Sequence, residues 1–535
     1  MSTITATDRV PAATPHGSEQ HPKGLYVLFG TEMWERFSFY TMLAMLVLYM
    51  RDASQGFGWS TAKSADIYSW YQMFVYFTPL LGGFLADRLL GFRRSIMIGG
   101  VFFMAGHLLL AVPKNIPIFF TALVCLVVGN GFFKPNVSSL VGNLYREGSH
   151  LKDRAYLIFY MGINIGAFMA PIVAEFVKTK WGFHPAFAIA GGGMFISLLI
   201  FTMFKRHVAA ADTKRNQSAK SEANEKALTE DLPPTAASEA AAAMDAVPEW
   251  KRIVALIVIF LIVIVFWMIF HQNGSTLTLW ADENTDWNVT GIISNSINPM
   301  WIIVLSLPLA WFWGFLDRRG LEPSTPAKIG MGMALTGLSF IVLYFGALSG
   351  GYTKPSVKVL QEGASPGTYL VEISPETIKA QGITTPPQDL VIPPAKAGDD
   401  PVTKKVWQAT STEPITTGLA RLENATGSQL SVAPVRKVSP WWLIMAYFVI
   451  SLGELMLSPM GLSLVSKVAP IRMRGLMMGG WFAATAIGNK LTAIGRYWDV
   501  WSHAHFFLVL AIMAFVMSVV LFLLLRPLKK AMPGV

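Results

Sequence analysis

Tyr26-Val-Leu-Phe-Gly-Thr-Glu-Met-Trp-Glu-Arg-Phe-Ser-Phe-Tyr-Thr-Met-Leu-Ala-Met-Leu-Val-Leu-Tyr-Met50 decides the fold. A helix of this length crosses the roughly 30 Å hydrocarbon core of a bilayer, and its only charged side chains are Glu32, Glu35 and Arg36. At i, i+3 and i+4 they share one helix face, where the arginine can pair with Glu32 one turn earlier. Each such group costs roughly 2.5 to 3.5 kcal/mol at mid-membrane, so the face must point inward, into a polar cavity or into an ion cluster that ties helices together. Two acids beside one base leave a carboxylate poised to take up a proton unless a second cation is near.

Working outward, further apolar stretches run near 64 to 86, 95 to 113, 116 to 142, 155 to 177 and 184 to 204. A second set runs near 252 to 280, 291 to 315, 327 to 348, 440 to 466, 475 to 498 and 504 to 526. The expected fold is an all-α membrane protein of twelve transmembrane helices in two six-helix bundles, the duplicated plan of a transporter. The first bundle takes residues 25–204. The second takes 251–349 and 439–527 and is interrupted at 350–438.

Composition agrees. Of the 535 residues, 53% are hydrophobic and 14% charged, too little polar surface for a soluble globule. The net charge of +10 suggests loops facing anionic lipid rather than a nucleic-acid partner. The single cysteine, Cys125, excludes an internal disulfide. Residues 1–24 read as a disordered tail, not a signal peptide.

Arg88, Arg93 and Arg94, then Arg146, Lys152 and Arg154, then Arg318, Arg319 and Lys328, then Lys467, Arg472 and Arg474 fall on alternate sides of successive spans. The positive-inside rule makes those sides cytoplasmic, with both termini (the C-terminal tail being 528–535) and the linker 205–250. Asp282, Glu283 and Asp286 then lie outside, as does the insert 350–438, whose partner the sequence does not indicate. In that insert, 356–360 and 369–373 have the alternation of strands, so it is β-rich or an open loop, with 393–400 as loop. The Asn-X-Thr tripeptides at Asn288 and Asn424 read as chance.

Gly129-Asn-Gly-Phe-Phe-Lys-Pro-Asn136 places Lys134 in the fourth span, where it either faces the cavity as the missing cation or snorkels to the surface. Gly82-Gly-Phe-Leu-Ala-Asp-Arg88 with Gly91-Phe-Arg-Arg94 marks a tight turn that resembles the loop between the second and third spans of the major facilitator superfamily; the resemblance implies a gating role for Asp87 and Arg88. Glu32-Met-Trp-Glu-Arg-Phe37, Phe159-Tyr-Met-Gly-Ile-Asn-Ile-Gly166, Gly453-Glu-Leu-Met-Leu-Ser-Pro459 and Met477-Met-Gly-Gly-Trp-Phe482 together resemble the proton-dependent oligopeptide transporter family of that superfamily.

The resemblance implies a symporter of di- and tripeptides in the cell membrane, driven by a proton gradient without a cofactor. It places Arg36 and Lys134 at the peptide carboxylate and Glu454 at its amine. Tyr40, Tyr76, Asn164, Asn298, Ser458 and Trp481 fall on positions that bind ligand or line pockets, although Trp481 is equally suited to packing. Glu32 and Glu35 are the expected proton carriers.

Three departures stand out. Phe39 and Leu43 occupy positions where many relatives have Tyr and Arg, and His271, in Phe266-Trp-Met-Ile-Phe-His-Gln272, stands where the family typically has an acid. His271 either joins proton coupling or fills a helix interface. Leu43 and His271 together are consistent with one lost salt bridge between the halves. The altered pocket leaves room for another anionic or peptide-like solute, or for a peptide sensor that does not transport. No metal-ligand helix or nucleophile elbow suggests an enzyme.

Overall fold

The computed structural model describes residues 21–145, 150–212, 244, 246–353, 436–470 and 473–533, together with short strands between 358 and 431. The expected tail before residue 21, the linker from 213 to 243, Arg146, Arg472 and the loop at 393–400 lie outside the described residues.

The first bundle comprises α1 (Lys23–Arg51), α2 (Thr61–Leu85), α3 (Phe92–Leu110), α4 (Ile116–Asn143), α5 (His150–Trp181) and α6 (Phe183–Phe204). The second comprises α7 (Glu249–Phe270), the short α8 (Thr276–Glu283), α9 (Ile297–Asp317), α10 (Thr325–Ser349), α11 (Pro440–Val468), α12 (Arg474–Leu491) and α13 (His503–Ala531). Ten of these helices are apolar and long enough to span a membrane on length and composition alone. The other two long ones are α1 and α12. Glu32, Glu35 and Arg36 interrupt the apolar run of α1, and Arg474, Asn489 and Lys490 dilute that of α12.

Helix starts follow local chemistry. Ser60 Oγ accepts from Lys63 N–H and Asn115 Oδ1 from Ile118 N–H, each satisfying an orphan donor of the first turn. At the opposite end of α2 the chain makes a π turn, Ala86–Leu90, that carries Asp87 and Arg88 and ends at Gly91 with φ 78°. Arg88 lies over the Phe84 ring, 4.5 Å from its centroid. The α3 N-terminus is capped from the first bundle's far end: Phe92 N–H donates to Asp212 Oδ1 at 3.0 Å.

Helix α1 is buried on nearly every side. Hydroxyls join it to its neighbours, Ser38 Oγ donating to Ala190 O (2.6 Å) and Ser197 Oγ to Thr31 O (2.7 Å), as expected where lipid removes the hydrophobic drive between helices. In the second bundle, Ser518 Oγ donates to Gly330 O at 2.8 Å.

The seventh span is not continuous. Helix α7 ends at Phe270, residues 271–275 form a turn, and α8 resumes from Thr276. His271 is therefore the C-cap of a helix rather than a residue within one. Tyr447 Oη donates to Asn273 Oδ1 at 2.5 Å, which holds the turn against α11.

The insert contains a five-stranded antiparallel sheet in the order β1 (Lys358–Glu362), β2 (Thr368–Glu372), β5 (Val406–Thr410), β6 (Arg421–Asn424), β7 (Gln429–Ser431), and a separate pair, β3 (Val391–Ile392) with β4 (Val402–Thr403). The chain entering α11 is tied to the segment after α8, Val438 N–H donating to Asn284 O and Asp286 N–H to Val438 O, each at 2.8 Å.

Candidate functional site

Glu32, Glu35 and Arg36 are 1%, 0% and 2% exposed. The spacing predicts a pair between Arg36 and Glu32, but the guanidinium turns to its sequence neighbour instead. Nε and Nη2 donate to the two oxygens of Glu35, each at 2.5 Å, while Nε lies 3.5 Å from Glu32 Oε1. The planar fork matches one carboxylate with two parallel hydrogen bonds, a stronger arrangement than a single contact one turn away. Glu32 Oε2 has no hydrogen-bond partner among the described residues.

Arg36 is also placed from outside α1. Its Nη2 donates to Asn130 Oδ1 of α4 at 3.4 Å, and its Cζ stands 4.9 Å from the centroid of the Phe39 ring. Lys134 is on the same helix as Asn130, with Nζ 5.0 Å from the centroid of Tyr76. That ring contact on α2 keeps the ammonium inside the bundle rather than leaving it for the surface. The two acids and two bases of this pole balance in charge.

The opposite pole is in the second bundle. Asn298 on α9 donates through Nδ2 to Glu454 on α11 (3.0 Å) and to Ser451 Oγ (2.9 Å), and Ser451 Oγ donates to Tyr447 O (2.6 Å). Gly453, beside Glu454, allows α10 and α11 to meet: a Cβ there would lie 2.8 Å from Gly332 O. Tyr40 and Tyr76 are within electrostatic reach of both Arg36 and Glu454. The Tyr76 ring, in contact with Lys134 of the first bundle and His271 of the second, joins the two bundles at this level.

Other expected site residues take more varied places. Asn164 Nδ2 bonds back to Tyr160 O on its own helix at 2.9 Å, leaving the carboxamide oxygen as its outward group. Trp481 is 3% exposed, packed edge-on to Phe260 and seated against Gly461, where a Cβ would fall 1.8 Å from the indole. Ser458 is half-buried on α11. His271 packs edge-on against Tyr76 and Phe270, is tilted against Trp267, and bonds through Nδ1 to Trp267 O at 3.1 Å. Asp87 and Arg88 are at the far end of α2, on the side of the termini, away from the poles.

Asn130 and Ser451 were not among the residues expected from the sequence. Asn130 lies inside the quoted Gly-Asn-Gly stretch, where a polar residue between two glycines in a span was the available signal. Ser451 follows an apolar run and carries none.

A family profile described as POT family matches residues 93–225, 211–374 and 415–496. The chain is 27% identical over 576 residues to the uncharacterized transporter YclF of Bacillus subtilis, covering 100% of each chain. It is 26% identical to a di-/tripeptide transporter of Lactococcus lactis subsp. lactis, covering 96% of this chain and 97% of that one. Among solved structures it is similar to the peptide transporter POT in complex with sulfate, with a TM-score of 0.71, 27% identity and 97% coverage of both chains. The structure of a POT peptide transporter variant in complex with alafosfalin gives 0.69, at 28% identity and the same coverage. With profile, full-length relatives and helical fold in agreement, this multi-pass membrane protein of the major facilitator superfamily fold belongs to the POT family of transporters.

Proposed function

We propose that the protein imports di- and tripeptides together with protons, its two bundles alternating around the cavity between Arg36 and Glu454. The carrying observation is the pair of poles: Arg36 and Lys134 beside their two acids on α1 and α4, Glu454 of α11 held by Asn298 of α9, and Tyr76 in contact with Lys134 of one bundle and His271 of the other. A peptide zwitterion has the matching charges at its two ends, so this arrangement orients any short peptide by its termini and leaves side chains unspecified. Tyr40, Tyr76, Asn164, Asn298 and Ser458 contribute polar contacts along the backbone, while Trp481 shapes the wall.

Glu32 and Glu35 carry the proton. In the structure Glu35 takes the Nε and Nη2 edge of the Arg36 guanidinium, so neutralising Glu35 frees that edge for a substrate carboxylate. Proton and peptide then stabilise the same state. With Glu454 ionised, the five charges sum to −1; a net-neutral zwitterion does not change this, and one proton brings the loaded cavity to zero. The gradient and the membrane potential supply the drive, the latter at about 2.3 kcal/mol per charge per 100 mV. His271 contributes through Tyr76, which lies against both the imidazole and the Lys134 ammonium. No prosthetic group takes part.

The basic loops support a cell-membrane protein with its termini and Asp87–Arg88 on the cytoplasmic side. Uptake of labelled dialanine into proteoliposomes under an imposed inward proton gradient tests the proposal. Accumulation that collapses when the gradient is dissipated supports it; binding without accumulation would indicate a sensor. Phe39, which puts a bare ring under Arg36 where relatives have a phenol, favours one second reading: another anionic solute. Failure of dialanine to compete for uptake would select it.

A further inference from the structure

Among the described residues Arg36 donates one side-chain hydrogen bond to a neutral acceptor on another helix, Asn130 Oδ1, and the way that partner is held is informative. Asn130 is 1% exposed at the centre of Gly129-Asn-Gly131. Each flanking glycine is a helix crossing. A Cβ on Gly129 would lie 2.7 Å from Phe103 N of α3, and one on Gly131 would lie 2.8 Å from Thr78 Cβ of α2. Helix α4 is clasped on both sides at this level, and Thr78 Oγ1 adds a hydrogen bond to Val127 O at 2.9 Å.

Helix α2 contains Pro79. Proline has no N–H, so the carbonyl four residues earlier, Val75 O, has no helical donor. Asn130 Nδ2 donates to that carbonyl at 2.6 Å. A carbonyl accepts only from the NH2 side of a carboxamide, which fixes the amide's orientation and turns Oδ1 toward the Arg36 guanidinium.

We propose that Asn130 is a positioning residue for the substrate carboxylate: its carboxamide, oriented by the carbonyl that Pro79 leaves free, keeps Arg36 aimed into the cavity once Glu35 releases it. This rests on the reading that Arg36 meets a peptide carboxylate. A neutral acceptor suits the task, because it holds the guanidinium without neutralising it. Aspartate in this place would compete with substrate for the arginine and could not donate to Val75 O when ionised.

The test is binding of dialanine and of its C-terminal amide to the purified full-length transporter, with Asn130→Leu, Asn130→Asp and Pro79→Ala. The wild type should prefer the free carboxylate. Asn130→Leu should reduce that preference about tenfold by weakening dialanine binding alone, as loss of a hydrogen bond to a charged group would. Asn130→Asp should reduce it as well. Pro79→Ala leaves Asn130 intact but supplies a helical N–H that competes for Val75 O, so a loss of about threefold is expected, absent when Asn130 is already Leu. Unchanged preference in Asn130→Leu, or equal weakening of acid and amide, overturns the inference; if Asn130→Leu does not fold, unchanged preference in Pro79→Ala does so. A wild type that binds acid and amide alike instead overturns the carboxylate reading on which the inference stands.

Discussion

At Arg36 the charge is committed to a carboxylate next to it in sequence, and this decides what single substitutions should do. Glu35→Gln leaves a single neutral oxygen to accept from Arg36, so the two-bond charged pair is lost at every pH. Gradient-driven dialanine uptake should fall tenfold or more, since bonds to charged groups contribute about 1.5 to 3 kcal/mol, while counterflow persists; retained gradient-driven uptake would remove Glu35 from coupling. His271 is wedged among three aromatic rings and bonded to a backbone carbonyl. His271→Phe keeps the ring contacts and deletes the imidazole with its bond to Trp267 O, so gradient-driven dialanine uptake should fall while counterflow stays within about threefold; unchanged gradient-driven uptake would reduce His271 to packing. The charges of this site were legible in the sequence because an ionised side chain within a span demands a cavity and partners. Asn130 and Ser451 were not, because an uncharged polar residue in a helix can satisfy itself on its own backbone. Asn136 does this through Phe132 O, and Asn164 through Tyr160 O. Beyond its two flanking glycines, what distinguishes Asn130 is the carbonyl that Pro79 leaves free, and that relation is between helices.

At the level of elements, apolar length located the spans, but their breaks depend on contacts that no single window contains. The seventh span stops at His271 because Asn273 is held by Tyr447 of α11 and because Gly274 meets Tyr68 of α2, where a Cβ would come 2.3 Å from the phenol oxygen. The connection from α1 to α2 depends on local chemistry. Asp52 Oδ1 accepts from Ser54 N–H (2.8 Å), Ser54 Oγ (2.7 Å) and Gln55 N–H (2.7 Å). Partial burial raises the Asp52 pKa, but these donors outweigh it and hold the group below the ordinary carboxylate value. A depressed folded-state pKa stabilises the fold above the unfolded value and loses that contribution as pH falls through the folded one. Asp52→Asn should therefore lower stability in detergent by about 0.5 to 1 kcal/mol at pH 7. The difference from wild type should shrink as pH falls below about 4. Thermal unfolding across pH measures this, and a constant difference would show that the carboxylate's charge is not what stabilises the turn.

For the whole molecule, the described polar ties between bundles gather at the end opposite the termini. Arg51 at the end of α1 bonds Glu283 at the end of α8 at 2.6 Å. Glu175 of α5 accepts from Thr290 N–H at 2.8 Å and from its hydroxyl. Lys490 of α12 donates to Ser69 of α2 at 3.0 Å, and Arg496 lies 3.8 Å from Asp66. With the termini cytoplasmic, as proposed above, this is a transporter sealed on its outer side. Leu43 is buried in the core of the first bundle and His271 among its aromatic rings, so the cross-bundle ion pair on the first helix lies two turns farther out, at Arg51. That position makes it a latch that must open in every cycle. The pair is about one-fifth exposed on each side, so a contribution near the upper limit for surface pairs, about 1 kcal/mol, is expected. Arg51→Ala or Glu283→Ala should raise the outward-open population about fivefold, and the exchanged pair Arg51→Glu with Glu283→Arg should restore it. Spin labels at Lys180 and Asn288, in a background with Cys125 replaced, report the separation of the two bundles at this end. If the distance distributions of the single variants coincide with that of the parent, the seal is carried by the Glu175, Lys490 and Arg496 contacts and Arg51 is not the latch.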